Sequence, residues 1–157
     1  MVVPAFNSAR TVEATVASAL SQTLSSLEVI VVDDGSADAT ADVVDRIDDQ
    51  RVRLISQSNR GLPAARNAGI AAAQGRYIAL LDSDDLYLPN YLELSLHALE
   101  STPDVGFAYA DGYVFDAASG KVRRRSAMAR MDPPVPPPAD PDQFLLELLR
   151  RNFILAW

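Results

Sequence analysis

The sequence predicts an α/β domain built on a mostly parallel sheet with helices on both faces. Three observations carry this reading. Apolar stretches of strand length alternate with stretches of helical spacing. The strand-like stretches are continuous in Val, Ile and Leu, as strands buried on both faces are. Three of them end in aspartate: Asp33 with Asp34, Asp82, and Asp111. In such sheets ligands gather at the carboxyl ends of the strands, so these aspartates are expected to cluster there.

The elements follow in order. Val2 and Val3 begin a short strand that runs into "PAFN". Val12, Val16, Ala19 and Leu20 then recur at helical spacing, with Asn7 or Ser8 as the expected N-cap. "LEVIVVDD" over 27–34 is a doubly buried strand, turned by Gly35 and Ser36. Val43, Val44 and Ile47 mark a second amphipathic helix, and "RVRLI" over 51–55 a third strand. After the loop "SQSNRG", Pro63 suits a first helical turn, and "AARNAGIAAAQ" is a helix expected to close on Gly75 as its C-cap. "YIALLD" over 77–82 is the next buried strand, and 88–101 the next helix, with Pro89 near its start. "VGFAYAD" over 105–111 reads as a strand, and "YVFDAASGKVRRRS" as a hairpin around "DAASG". "DPPVPPPADP" holds six of the ten prolines and can only be an extended loop. Helical periodicity returns in "DQFLLELLRRNF".

Composition narrows the chemistry. At 157 residues, 48% hydrophobic and 22% charged, the chain has the makeup of one globular domain. It has no Cys and one His, which excludes thiol catalysis, disulfides and polyhistidine metal sites within the chain. No apolar run reaches the roughly 18 residues of a membrane span, and "MVVPAFNSAR" lacks the pattern of a secretory signal, so a cytoplasmic setting is expected. Residues 1–120 carry 7 Arg against 17 acids, net −10, while 121–157 carry 7 basic and 4 acidic side chains, net +3. So acidic a body disfavours nucleic acid, and any phosphate-bearing ligand needs a cation or a local Arg.

"LLDSDD" sets three carboxylates in four positions behind an apolar run. One such residue would cap the next helix; three repel one another unless a hard cation such as Mg²⁺ or Mn²⁺ intervenes. Asp33 and Asp34 in "VVDDGS" serve either a turn or a ligand at the strand end. Arg60 and Arg66 can answer a phosphate or form surface ion pairs, and His97, without an acidic partner at obvious spacing, is expected as a structural or exposed imidazole rather than a catalytic one. "KVRRR" suits a solvated hairpin strand or an anionic surface. No glycine-rich phosphate loop is present. An aspartyl-phosphate phosphatase with Asp82 as nucleophile and Asp84 as acid, or a receiver domain, would want a lysine at the phosphoryl group, and the only one is Lys121 in the hairpin.

Taken together, "PAFN", "SALSQTLSSLEVIVVDDGSADAT" and "RVRLISQSNRGLPAARNAGIAAAQGRYIALLDSDDLYLP" resemble the N-terminal half of the family 2 glycosyltransferases, inverting enzymes with the GT-A fold. The likeness covers about residues 2–110 in order and register. It implies a nucleotide-diphospho-sugar site in which Pro4, Ala5 and Phe6 line the nucleoside pocket and Asp33, with Asp34 beside it, contacts base or ribose. Arg66 lies near the nucleotide, and Asp82 and Asp84 form the D-x-D that binds ribose and a metal, Mn²⁺ or Mg²⁺, on the diphosphate. The family's catalytic base lies farther along, beyond Trp157, and neither Asp111 nor Asp116 stands in its place.

The expectation is therefore one GT-A domain over 1–157, a fragment with its nucleotide-binding part in about 1–111 and the start of the acceptor side in 112–157. It would transfer a sugar with inversion to a polysaccharide, lipid-linked or other acceptor, in the cytoplasm or at the inner face of the membrane. A non-catalytic nucleotide-sugar-binding or interaction module is the alternative, and the phosphatase a weaker one.

Overall fold

The structure is a computed structural model that describes residues 1–102, 105–108, 110, 113–115 and 122–126. The chain divides into two compact units, Met1–Ala108 and Tyr109–Trp157. In the first, the order is β1 (Val2–Ala5), α1 (Val12–Leu20), β2 (Val29–Asp33), α2 (Thr40–Asp45), β3 (Val52–Ser56), α3 (Leu62–Ala72) and α4 (Tyr91–Ser101). In the second, β4 (Tyr113–Phe115) and β5 (Val122–Ser126) form an antiparallel pair, the hairpin expected from the sequence.

The sheet of the first unit is parallel, in the order β1-β2-β3, with Val2 opposite Ile30 and Val29 opposite Val52. Its apolar runs are continuous because both faces are covered. Val3, Ala5, Val29 and Val31 pack with Val12, Val16 and Ala19 of α1, Val44 of α2 and Leu92 of α4. The intervening Val2, Ile30 and Val32 face the other way, onto Ala65, Ala68 and Ala72 of α3. Strand alternation thus splits one apolar run between two cores. Small side chains on α3 let that helix lie close to the sheet, and a Cβ added to Gly69 would stand 2.3 Å from Val2 Cγ1.

Four local expectations are corrected. "YIALLD" is no doubly buried strand. It contributes a parallel bridge between Leu80 and Val2, with Val2 N–H donating to Ala79 O (2.8 Å) and Leu81 N–H to Val2 O (3.1 Å). Leu81 is buried, whereas Ile78 and Leu80 are exposed, because this segment is the last pairing on the β1 side among the described residues. Helix α3 ends at Ala72 with Ala73 as its C-cap in extended geometry, so Gly75 does not cap it. Neither Asn7 nor Ser8 caps α1 through its side chain; the cap position is Thr11, and the Ser8 carbonyl takes the N–H groups of Thr11 and Val12. Finally, 105–108 and 110 form no strand, and Val105 and Phe107 are exposed. Asp111, Asp116, the hairpin turn, the proline segment and the final helical stretch lie outside the described residues.

Candidate functional site

The carboxyl ends of β1, β2 and the Leu80 bridge open onto one surface, as parallel topology requires. Three loops meet there and are bonded together. Asn7, at φ 52, receives its place from both sides: its N–H donates to Ser36 Oγ (2.9 Å), and its Oδ1 accepts from Ala37 N–H (2.8 Å). Ser8 N–H donates to Thr40 Oγ1 (2.8 Å), and the Ser8 and Ser83 hydroxyls share a 2.7 Å hydrogen bond. Asp38 accepts from Ala9 N–H (3.1 Å) and Thr40 N–H (3.0 Å). The "PAFN" loop therefore bridges the loop after β2 and the "LLDSDD" loop.

Of the residues expected to line a nucleoside pocket, Pro4 and Ala5 are buried in the strand end, while Phe6 is half exposed and presents its ring. Asp33, the last residue of β2, and Asp34, just beyond it, have different partners. Asp33, buried, accepts from both the N–H and the hydroxyl of Ser36, which closes the turn. Asp34, also buried, turns toward the loop before α3. Its Oδ1 accepts from Gln57 Nε2 (2.7 Å) and Arg60 N–H (2.9 Å), and its Oδ2 from Gly61 N–H (2.7 Å). Those donors, Gln57 first, hold its carboxyl below the usual carboxylate range against the opposing cost of burial.

Arg66 projects from α3 to the loop after Leu81, where Nη2 donates to Asp82 Oδ1 at 2.7 Å, each side chain about one-fifth exposed. Arg66 Nε is buried with no hydrogen-bond partner. Asp84 is exposed and accepts no hydrogen bond from a described residue. Asp85 is exposed as a residue, yet the protein crowding its carboxyl, and then the charges of Asp84 and Asp82, push its pKa up. Ser83 is buried, and Thr15 Oγ1 bonds the Asp85 carbonyl (2.9 Å), which fixes the turn.

Among the described residues no group of three or more His, Cys, Asp or Glu is placed to hold a metal ion. The donor chemistry nevertheless fits a hard cation: Asp84 offers an uncommitted carboxylate and Asp82 one oxygen beyond the Arg66 bond. Arg60 is exposed in its loop, and His97 is exposed on α4 beside Ser101.

Three residues that hold the first unit together escape sequence reasoning. Gln57 and Gln22 are polar anchors whose partners lie 23 and 66–70 positions away. Asn7 carries one signal, the tolerance of Asn for positive φ, which an expected capping role does not use. No helix among the described residues is long and apolar enough to cross a membrane.

The family model described as "Glycosyl transferase family 2" matches residues 1–149. The UDP-Glc:alpha-D-GlcNAc-diphosphoundecaprenol beta-1,3-glucosyltransferase WfaP of Escherichia coli is 40% identical over 115 residues, 73% of this chain and 45% of that protein. The succinoglycan biosynthesis protein ExoO of Rhizobium meliloti is 43% identical over 132 residues, 83% of this chain and 38% of that one. Among solved structures, the mannosyltransferase PcManGT of Pyrobaculum calidifontis, in complex with GDP-Man and Mn²⁺, superposes with a TM-score of 0.62 at 29% identity, covering 67% of this chain and 32% of that one. The chain thus spans less than half the length of each of these relatives.

Proposed function

The chain belongs to glycosyl transferase family 2, and from that premise we propose that its strand-end surface binds a nucleotide-diphospho-sugar for inverting transfer to a saccharide or lipid-linked acceptor. The setting is polysaccharide assembly at the cytoplasmic face of the membrane, in keeping with the lipid-linked saccharide named for WfaP. One observation carries the donor reading: the Phe6, Asp33–Asp34 and Asp82–Asp84 loops are bonded into one surface through Asn7, Ser8, Ser36 and Ser83.

In this reading the Phe6 ring lies against the nucleoside, backed by Pro4 and Ala5, and the Asp33–Asp34 turn borders base and ribose. Asp82 takes the ribose side and Arg66 the nucleotide side, with their ion pair holding both in place. Asp84, with the remaining oxygen of Asp82, would hold Mn²⁺ or Mg²⁺. A cation held there would supply positive charge against the diphosphate and the leaving oxygen, which an acidic domain otherwise lacks. The base that inversion requires on the acceptor is not assigned to a residue of this chain.

Titration calorimetry with UDP and GDP, each with and without Mn²⁺, tests the proposal. Metal-dependent binding lost in Asp84→Ala is expected; a folded protein that binds neither nucleotide in the presence of Mn²⁺ sinks it. Binding without sugar transfer or donor hydrolysis would instead mark the chain as a non-catalytic module.

A further inference from the structure

We propose that Thr15 is a positioning residue for Asp84: from the buried face of α1 its hydroxyl holds the Asp85 carbonyl and so fixes the turn on which Asp84 stands. The role rests on the donor-site reading above and deepens it.

Backbone pins on either side set the place of Asp84. Asp85 N–H donates to Asp82 O (3.0 Å), which closes a turn with Ser83 and Asp84 at its centre. Asp84 is exposed there, between two pinned neighbours. On one side the Ser83 hydroxyl meets that of Ser8 at 2.7 Å; on the other the Asp85 carbonyl takes the Thr15 hydroxyl at 2.9 Å. The second pin comes from inside the fold. Thr15 is fully buried on α1, and where a helical threonine commonly returns its hydroxyl to the preceding turn, this one donates to a segment 70 positions away. It is also the first of a row. Ser18, one turn on, donates to the Thr15 carbonyl (2.7 Å) and accepts the Tyr87 N–H (3.2 Å). Gln22, just past the helix end, donates to the Leu88 carbonyl and accepts the Leu92 N–H. The row thus holds the chain from 85 to 92 against α1, and of its bonds only that of Thr15 reaches the turn. A carboxylate meets a cation at a set distance, so a turn released at Asp85 carries Asp84 off its place.

Support of the fold and placement of the turn differ in whether metal affinity follows stability. Thr15→Val keeps the buried shape and loses the hydrogen bond, whereas Thr15→Ser loses a methyl and keeps it. Gln22→Ala breaks the far end of the row and serves as the stability control. The full chain carrying each is followed by urea denaturation, by amide exchange at Asp85, and by the Mn²⁺ concentration that half-saturates calorimetric binding of UDP and of GDP. Positioning predicts, for Thr15→Val, faster exchange at Asp85 and a half-saturating Mn²⁺ concentration raised about tenfold. Thr15→Ser, though less stable, stays within about twofold of wild type in both, as does Gln22→Ala in its Mn²⁺ requirement. An unchanged requirement in Thr15→Val, one raised as far in Thr15→Ser, or one that rises in every variant in proportion to lost stability overturns the role. If Thr15→Val does not fold, Thr15→Ala against Thr15→Ser, which differ by the hydroxyl alone, decides by the same criteria. A wild-type chain that binds neither nucleotide in Mn²⁺ fails the donor reading and this role together, whereas metal-dependent binding with an unchanged requirement in Thr15→Val fails this role alone.

Discussion

Arg66 Nη2 donates to Asp82 Oδ1 over 2.7 Å, tying α3 to the loop that follows the Leu80 bridge. The pair is neither a surface ornament nor a sealed core pair, since each side chain keeps about one-fifth of its exposure. Coulomb attraction at that depth exceeds the exposed-pair value, while solvent still relieves part of the desolvation cost.

Arg66→Ala is expected to lower stability by about 1–2 kcal/mol, between exposed and fully buried pairs, and to weaken nucleoside diphosphate binding. Arg66→Lys should recover much of the stability and less of the binding, because an ammonium replaces one arm of a planar fork and cannot keep its geometry. Urea denaturation and calorimetry on both variants check this. Equal binding by the lysine variant and the wild type would count against a directional role for the guanidinium.

Asp34 gives a pH prediction with a definite sign. Its folded pKa lies below the ordinary value of 3.8. A group depressed on folding stabilises above its unfolded pKa, and that contribution is lost as pH falls through the folded value. Asp34→Asn also turns an amide N–H₂ toward a backbone donor, leaving it unsatisfied, at a cost of about 1–3 kcal/mol. The gap in stability between wild type and variant should therefore be full near neutrality and shrink below about pH 4. Chemical denaturation at pH 7, 5 and 3.5 follows it, and a gap that grows on acidification contradicts the sign.

Gly69 separates α3 from β1 by less than a methyl group. Gly69→Ala drives a Cβ to 2.3 Å from a side chain with no free space, since Val2 is fully buried. Overpacking of this kind costs about 1–3 kcal/mol. Val2→Ala should relieve part of it, so the double variant is less destabilised than the sum of the singles. Additive losses in thermal or urea unfolding would place the strain elsewhere.

How much of this was legible in sequence depends on the range of the signal. β2 was legible because five consecutive apolar or terminal residues are all buried, and a continuous Val and Ile run admits few other readings. The Asp33–Ser36 turn was legible because it is local. "YIALLD" has the same composition as β2, but its outer faces at Ile78 and Leu80 are exposed at the edge of the described sheet, which composition does not reveal. Gly75 looks like a helix cap, yet α3 had already ended in extended backbone at Ala73. Arg66 and Asp82 were each singled out, but not as partners, because a contact across 16 positions follows from how α3 lies on the sheet. Gln22 and Gln57 gave no signal, since an amide is usually a solvated residue until the fold aims it at backbone groups.

Gln22 supports the last prediction. It is buried at 6% exposure and joins α1 to the start of α4: Nε2 donates to Ser18 O (3.2 Å) and Leu88 O (2.8 Å), and Oε1 accepts from Leu92 N–H (3.0 Å). Leu92 N–H is one of the first-turn donors of α4 that no helical carbonyl can take. Gln22→Ala leaves it unsatisfied, while the Leu88 carbonyl keeps only the Tyr91 N–H (3.0 Å), so a loss of about 2 kcal/mol and faster amide exchange at Leu92 are expected. Gln22→Glu is more telling. One carboxylate oxygen still accepts from Leu92, but the other faces two carbonyl oxygens, so the folded state favours the protonated acid, which alone can donate to them. The folded pKa is then raised, and the variant is most stable below the unfolded value of about 4.3 and weakens as pH rises through the folded one. Denaturation of Gln22→Glu between pH 4 and 7 should show that decline beyond any change in wild type, and a flat difference would mean that the Nε2 bonds to Ser18 and Leu88 contribute nothing.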